Sequence, residues 1–176
     1  VQDIVSEVSP GTFALAYDLT ASFYQLPLSP AAQRQFVFAY RGRQYAWQVM
    51  VMGCAPAAEI MQRISVAISR LPRELAAAIT TSVHIDNVRY ISSNKKALEQ
   101  AAEIIRARLA TYGATINETL DVTTHGEFFG LSFDYAKGTV TISNSHRLKL
   151  LDIVQQITTT KTRNRTLRWV MKTIGI

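Results

Sequence analysis

The apolar residues of this chain change their period as the sequence runs, and that switching restricts it to a mixture of strands and helices. Phe13-Ala14-Leu15-Ala16-Tyr17 is an unbroken apolar run of strand length, ending where Asp18-Leu19-Thr20 interrupts it. Phe36, Phe38 and Tyr40 alternate, as do Tyr45, Trp47 and Val49, around Arg41-Gly42-Arg43-Gln44, so a hairpin is predicted. Over 57–71 the spacing becomes helical through Ile60, Met61, Ile64, Ala67, Ile68 and Leu71, and Pro72 closes the segment. A second hairpin is signalled by Ser82-Val83-His84-Ile85 and Val88-Arg89-Tyr90-Ile91. These flank Asp86-Asn87, a pair able to adopt positive φ without glycine.

Beyond the second hairpin, Ser93 or Asn94 can cap a helix whose Leu98, Ala101, Ala102, Ile105 and Leu109 form one stripe ending before Gly113. Short strands are expected at 127–134 and 139–143, joined by a turn around Lys137-Gly138, with helices over 148–157 and 167–174 separated by a polar linker at 158–165. The sum is an α+β arrangement with no internal repeat, and 176 residues suffice for a substantial core.

Charge is distributed unevenly. Residues 1–143 hold 12 Lys/Arg against 12 Asp/Glu, whereas 144–176 hold Arg147, Lys149, Lys161, Arg163, Arg165, Arg168 and Lys172 against Asp152 alone. A basic segment beside a neutral body suits phosphate contact, because neutralising phosphates releases condensed counterions; a solvated helix face is the structural alternative. No apolar run approaches the roughly 20 residues that span a bilayer, so no membrane partner is expected. A single cysteine, Cys54, excludes an internal disulfide and a cysteine-rich zinc site, which fits a reducing, intracellular compartment.

Asp18 and Asp86 each stand at the turn end of an apolar strand. Either alone is ordinary turn chemistry. If the two strands are neighbours in one sheet, however, the carboxylates meet, where unpaired they repel and raise a pKa. Divalent cations relieve that repulsion, and hard oxygen ligands suit Mg²⁺.

The surrounding segments resemble retroelement reverse transcriptases of the LTR and tyrosine-recombinase retrotransposon kind. Asp18-Leu19-Thr20-Ala21-Ser22-Phe23-Tyr24-Gln25-Leu26-Pro27 is similar to the family's first catalytic motif, an aspartate followed five residues later by an aromatic and then Gln-(Ile/Leu)-Pro. Val51-Met52-Gly53, leading to Ala57 and Gln62, resembles its glycine motif. His84-Ile85-Asp86-Asn87 resembles the Tyr-x-Asp-Asp hairpin, and Phe128-Phe129-Gly130 the Phe-Leu-Gly primer grip.

The resemblance implies a polymerase palm-like antiparallel sheet backed by helices over 1–143, with partial fingers, and the start of a basic helical thumb over 144–176. It implies RNA-directed DNA synthesis using Mg²⁺ or Mn²⁺ and deoxynucleoside triphosphates on an RNA or DNA template-primer. Asp18 and Asp86 would hold the ions, with the Leu19 carbonyl as a further ligand and Asn87 as the third catalytic position. Phe23 would stack under the incoming sugar, Gln25 would contact nucleic acid, and Met52 and Gly53 would line the nucleotide pocket. Lys161, Arg163, Arg165 and Arg168 would meet the nucleic-acid backbone. A fingers hairpin upstream and a ribonuclease H domain downstream are expected in the same polyprotein.

Four positions depart from the family pattern. Asn87 replaces the second hairpin aspartate, His84 the tyrosine, Ala57-Ala58 the alanine-proline step, and no lysine follows Asn117. Loss of that lysine removes a general acid, a contribution typically worth about 10²–10⁴-fold. These departures motivate an alternative, a non-catalytic polymerase-like scaffold that binds nucleic acid.

Overall fold

A computed structural model describes residues 2–117 and 119–159. The short helix α1 (Gln2–Ser6) leads into strand β1 (Phe13–Asp18), followed by a 3-10 turn at Ser22–Gln25 and a helical turn α2 (Pro30–Gln33). A hairpin of β2 (Val37–Tyr40) and β3 (Arg43–Ala46) precedes helix α3 (Ala57–Ser69) and the short α4 (Arg73–Ala76). The second hairpin, β4 (Thr80–His84) and β5 (Asn87–Ser92), leads to α5 (Lys95–Tyr112), then β6 (His125–Phe128), β7 (Leu131–Asp134), β8 (Thr139–Ile142) and α6 (Asn144–Thr159).

The central sheet has the order β1-β5-β4 and is antiparallel throughout. Both faces of β1 and β5 are covered, which explains why β1 reads as a continuous apolar run, while β5 buries Arg89 among apolar neighbours and β4 at the edge stays partly exposed. Leu15, Tyr17, Val88 and Tyr90 join Met61 and Ile68 of α3 and Leu98, Ile105 and Leu109 of α5 in the main core. The alternate residues Ala14 and Ile91 face the other way, against Phe128 and Phe133 of the β6-β7-β8 sheet and Tyr135 just after β7. Strand β5 is therefore locked by ladders on both edges and cores on both faces.

Arg89 lies on that second face with its side chain fully buried. Its guanidinium sits between the Phe128 and Phe133 rings, 4.9 and 4.8 Å from their centroids, and donates from Nη2 to Glu7 Oε2 at 2.8 Å and to the Ile4 carbonyl at 3.0 Å. Glu7 also accepts from the Ser82 hydroxyl. One buried ion pair thus ties the segment after α1 to the central sheet and to the second sheet.

Helix α5 follows its sequence signals: Asn94 accepts from the Ala97 N–H, and Gly113 closes the helix at φ 64. Helix α3 ends at Ser69, earlier than Pro72 suggests, with Arg70 already extended at ψ 128. The strand expected over 127–134 is two strands. Phe129 and Gly130 take φ of 51 and 71 and reverse the chain, and a side chain at Gly130 would collide with the His146 ring of α6. The Asp86-Asn87 turn is also shifted by one residue: His84 pairs with Asn87, so Ile85-Asp86 forms the loop and positive φ falls on Ile85, at 53.

The helix expected over 148–157 begins earlier, at Asn144. The helix expected over 167–174, and with it Lys161, Arg163, Arg165 and Arg168, lies outside the described residues. Among the described residues no helix is long and apolar enough to cross a membrane.

Candidate active site

Strand β1 pairs with β5 in the register that sets Asp18 opposite Asn87, and the next ladder sets Asn87 opposite His84. Asp86, in the two-residue loop, accepts the Leu19 N–H at its backbone carbonyl at 3.2 Å. Two carboxylates 68 residues apart in sequence thereby meet at one end of the sheet. The electrostatics agree. Partial burial pushes the Asp18 carboxyl above its ordinary 3.8, the hydrogen bond from Asn117 works against that, and the neighbouring Asp86 charge pushes it up again.

Both carboxylates are held by neutral donors. Asp86 Oδ2 accepts from the Ser22 hydroxyl at 2.7 Å and Oδ1 from the Asn87 carboxamide at 3.0 Å. Asp18 Oδ2 accepts from Asn117 Nδ2 at 3.0 Å. With no Lys or Arg in these bonds, the negative charge stays available, and each oxygen retains acceptor capacity. Among the described residues no group of three or more His, Cys, Asp and Glu forms a metal-ligand cluster. Two carboxylates are what Mg²⁺ commonly takes from a protein when substrate phosphates and waters complete its octahedron.

The loops around the pair are strained. Ala21 has φ 46 and Ile85 φ 53, positive values that are unfavourable for any side chain and most of all for a β-branched one. Gln62 on α3 holds the second loop: its Oε1 accepts the Ile85 N–H and its Nε2 donates to the Val83 carbonyl at 3.2 Å. Beside the loop, the exposed His84 ring meets Phe129 edge-on at 4.9 Å, and Phe129 in turn meets Phe128 at 4.5 Å. His84 therefore belongs to an aromatic contact that bridges the two hairpins.

Phe23 follows Ser22 in the 3-10 turn, and its ring is half-buried against the main core. Gln25 does not present a free amide for nucleic acid. Its Nε2 donates to the carbonyls of Thr20 and Thr115 and its Oε1 accepts the Thr115 N–H, so it binds the turn to the segment after α5. Met52 is 67% exposed, and Gly53 adopts φ 90 with open space where a side chain would start. Their loop runs beside the segment after Asp18, through Met50 N–H to the Leu26 carbonyl at 2.9 Å and Leu28 N–H to the Gln48 carbonyl at 2.8 Å.

Sequence reading missed Ser22, Asn117 as a side chain, and the function of Gln62. A serine four residues after an aspartate carries no signal of its own. Gln62 was legible only as part of the glycine-motif resemblance and Asn117 only as the position after which a lysine is missing, and neither reading carried their hydrogen bonds.

Comparison with known proteins bears on the family and the fold. Residues 2–124 match the family model described as reverse transcriptase (RNA-dependent DNA polymerase). The Gag-Pro-Pol polyprotein of Human T-cell leukemia virus 2 is 25% identical over 117 residues, which cover 62% of this chain and 8% of that protein. The foamy viral protease-reverse transcriptase dRH, solved in complex with double-stranded DNA, shares the fold with TM-score 0.67 and 15% identity, over 99% of this chain and 28% of that one. The foamy viral enzyme in complex with an RNA/DNA hybrid gives TM-score 0.66 at 17% identity, over 93% and 20%. This chain thus spans a small part of the proteins it matches, and its residues 2–124, which match the family model, include Asp18 and Asp86. It belongs to the reverse transcriptase (RNA-dependent DNA polymerase) family.

Proposed function

We propose that this chain is the catalytic core of an RNA-directed DNA polymerase that transfers nucleotides from deoxynucleoside triphosphates to a primer 3′ end. The observation that supports it is the convergence of Asp18 and Asp86 at one sheet end, each carboxylate oriented by uncharged donors. The donor set fits a hard divalent cation, Mg²⁺ or Mn²⁺, held by Asp18, Asp86 and the Leu19 carbonyl. Such ions, when bound, stabilise the attacking and leaving oxygens of a phosphoryl displacement.

The chain's own residues supply orientation. Ser22 and Asn87 fix the two Asp86 oxygens, Gln62 fixes the loop that carries Asp86, and Gln25 fixes the segment that carries Asn117. Phe23 and the Met52-Gly53 loop would bound the nucleotide, with Phe23 excluding a 2′-hydroxyl by bulk and Gly53 admitting close approach. Lys161, Arg163, Arg165 and Arg168 would contact phosphates of the template-primer. With no lysine after Asn117, protonation of the leaving pyrophosphate falls to solvent, and turnover is expected to be slow.

Primer extension on an RNA template, by the polypeptide of the complete reading frame in Mg²⁺ or Mn²⁺, is the test. Metal-dependent extension that disappears in Asp18→Ala and Asp86→Ala supports the proposal. Full extension by Asp86→Ala would overturn the metal assignment. Salt-sensitive RNA binding without extension would select the non-catalytic scaffold instead.

A further inference from the structure

Asn117 lies 99 residues from Asp18 in sequence and yet grips it twice. Its backbone N–H donates to the Asp18 carbonyl at 3.0 Å, and its Nδ2 donates to Asp18 Oδ2 at 3.0 Å. The orientation of the amide is not arbitrary. Thr20 Oγ1 donates to Asn117 Oδ1 at 2.7 Å, and since only an oxygen accepts that proton, the NH₂ end is left facing the carboxylate. A single carboxamide therefore sits between the residue before Leu19 and the residue after it, accepting from one and donating to the other.

The segment bearing Asn117 is itself held in register. After Gly113 ends α5, the chain runs antiparallel to the end of β1, with Thr20 N–H donating to the Thr115 carbonyl at 3.0 Å and Leu19 bridged to Ile116. The Gln25 amide pairs with both backbone groups of Thr115. These contacts fix the backbone that carries Asn117, while its exposed side chain is held by the Thr20 and Asp18 hydrogen bonds alone.

We propose that Asn117 is a positioning residue for the metal site: it occupies Asp18 Oδ2 with a neutral donor and so presents Oδ1 to the cation. A lysine making the same bond would neutralise the ligand, whereas an amide orients it and leaves its charge intact. This rests on the metal reading above, and the two are separable by experiment.

The test is Mn²⁺ binding to the whole 176-residue chain, followed by electron paramagnetic resonance without nucleotide or primer. Asn117→Ala is expected to weaken the tightest site about tenfold, as loss of an outer partner of a metal ligand typically does. Thr20→Val, which only frees the amide to turn, weakens it by a smaller factor. In an Asp18→Ala background Asn117→Ala has no further effect.

Wild-type affinity in both Asn117→Ala and Thr20→Val overturns the proposal, as does an equal loss from Asn117→Ala when Asp18 is already absent. Circular dichroism checks the fold of each variant, and Thr20→Val decides the matter if Asn117→Ala does not fold. If Asp18→Ala itself binds Mn²⁺ like the native chain, the metal reading is what fails, and this proposal falls with it.

Discussion

Asp18 and Asn87 face each other on the last rung of the β1–β5 ladder, and Asn87 spends its carboxamide on the adjacent Asp86. Where the family pattern has a further aspartate, this chain has a neutral hydrogen-bond donor paired across the sheet with one carboxylate and bonded to another.

Restoring that charge has opposite effects with and without metal. In Asn87→Asp a third carboxylate adds repulsion, so the metal-free protein is expected to melt below the native chain. Its rise in Tm on saturation with Mn²⁺ should exceed the native rise, since a ligand that binds only the folded state stabilises it in proportion to its affinity. Calorimetry in chelator and in Mn²⁺ measures both. Equal rises for the two proteins would show that position 87 does not face the cation.

The shifted carboxyl of Asp18 sets a pH dependence whose sign can be worked out. Its folded-state pKa is raised above 3.8, first by burial and then by Asp86, with Asn117 opposing. Between 3.8 and the raised value the native state binds more protons than the unfolded chain, so stability falls as pH rises through that window, and the cost persists above it. Metal-free Asp18→Asn should therefore melt above the native protein at neutral pH. The gap should close as pH falls to about 3.8 and stay small throughout, because the group is only partly buried.

Gln62 restrains a loop that would otherwise relax. Gln62→Ala leaves the Ile85 N–H without its acceptor and the Val83 carbonyl without its donor, at a strained position. A loss of about 1 kcal/mol is expected from urea unfolding, the usual net contribution of a hydrogen bond, since both groups are only part-buried. A loss below a few tenths would mean that the loop keeps its conformation unaided.

The buried Arg89 should be more costly to strand than to remove. Glu7→Gln leaves a buried guanidinium whose Nε and Nη1 already lack partners, and about 3 kcal/mol should be lost, the low end for a buried pair because Glu7 is partly exposed. Adding Arg89→Met to Glu7→Gln should recover part of that loss, since an apolar chain of similar length fits between Phe128 and Phe133. A double variant less stable than Glu7→Gln would show that the guanidinium contributes more through its ring contacts than its ion pair.

Much of this could be read in the sequence. The helical stripe from Leu98 to Leu109, its Asn94 cap and its Gly113 stop come from local spacing and backbone preference, and the structure has them where the sequence puts them. That the Asp18 and Asp86 carboxylates meet at one sheet end was also anticipated, but the strand beside β1 is β5, which follows Asp86, and not β4, which precedes it and lies at the exposed edge. What escaped was local geometry at the turns. Nothing in Ile85 suggests positive φ, since a β-branched residue disfavours it, and only the Asp18–Asn87–His84 register forces the loop back by one residue.

By itself, then, the sequence determined the main strands and the helices α3 and α5, though not the short α1, α2 and α4, together with the two carboxylates and the family pattern around them, because periodicity, capping and motif spacing act over a few residues. Only the tertiary structure decided what holds those carboxylates. Ser22, Gln62 and Asn117 reach Asp86, the Asp86 loop and Asp18 from the 3-10 turn, from α3 and from the segment after α5. Hydrogen bonds between residues so distant in sequence exist only once the core has brought their elements together, and no short-range pattern encodes them.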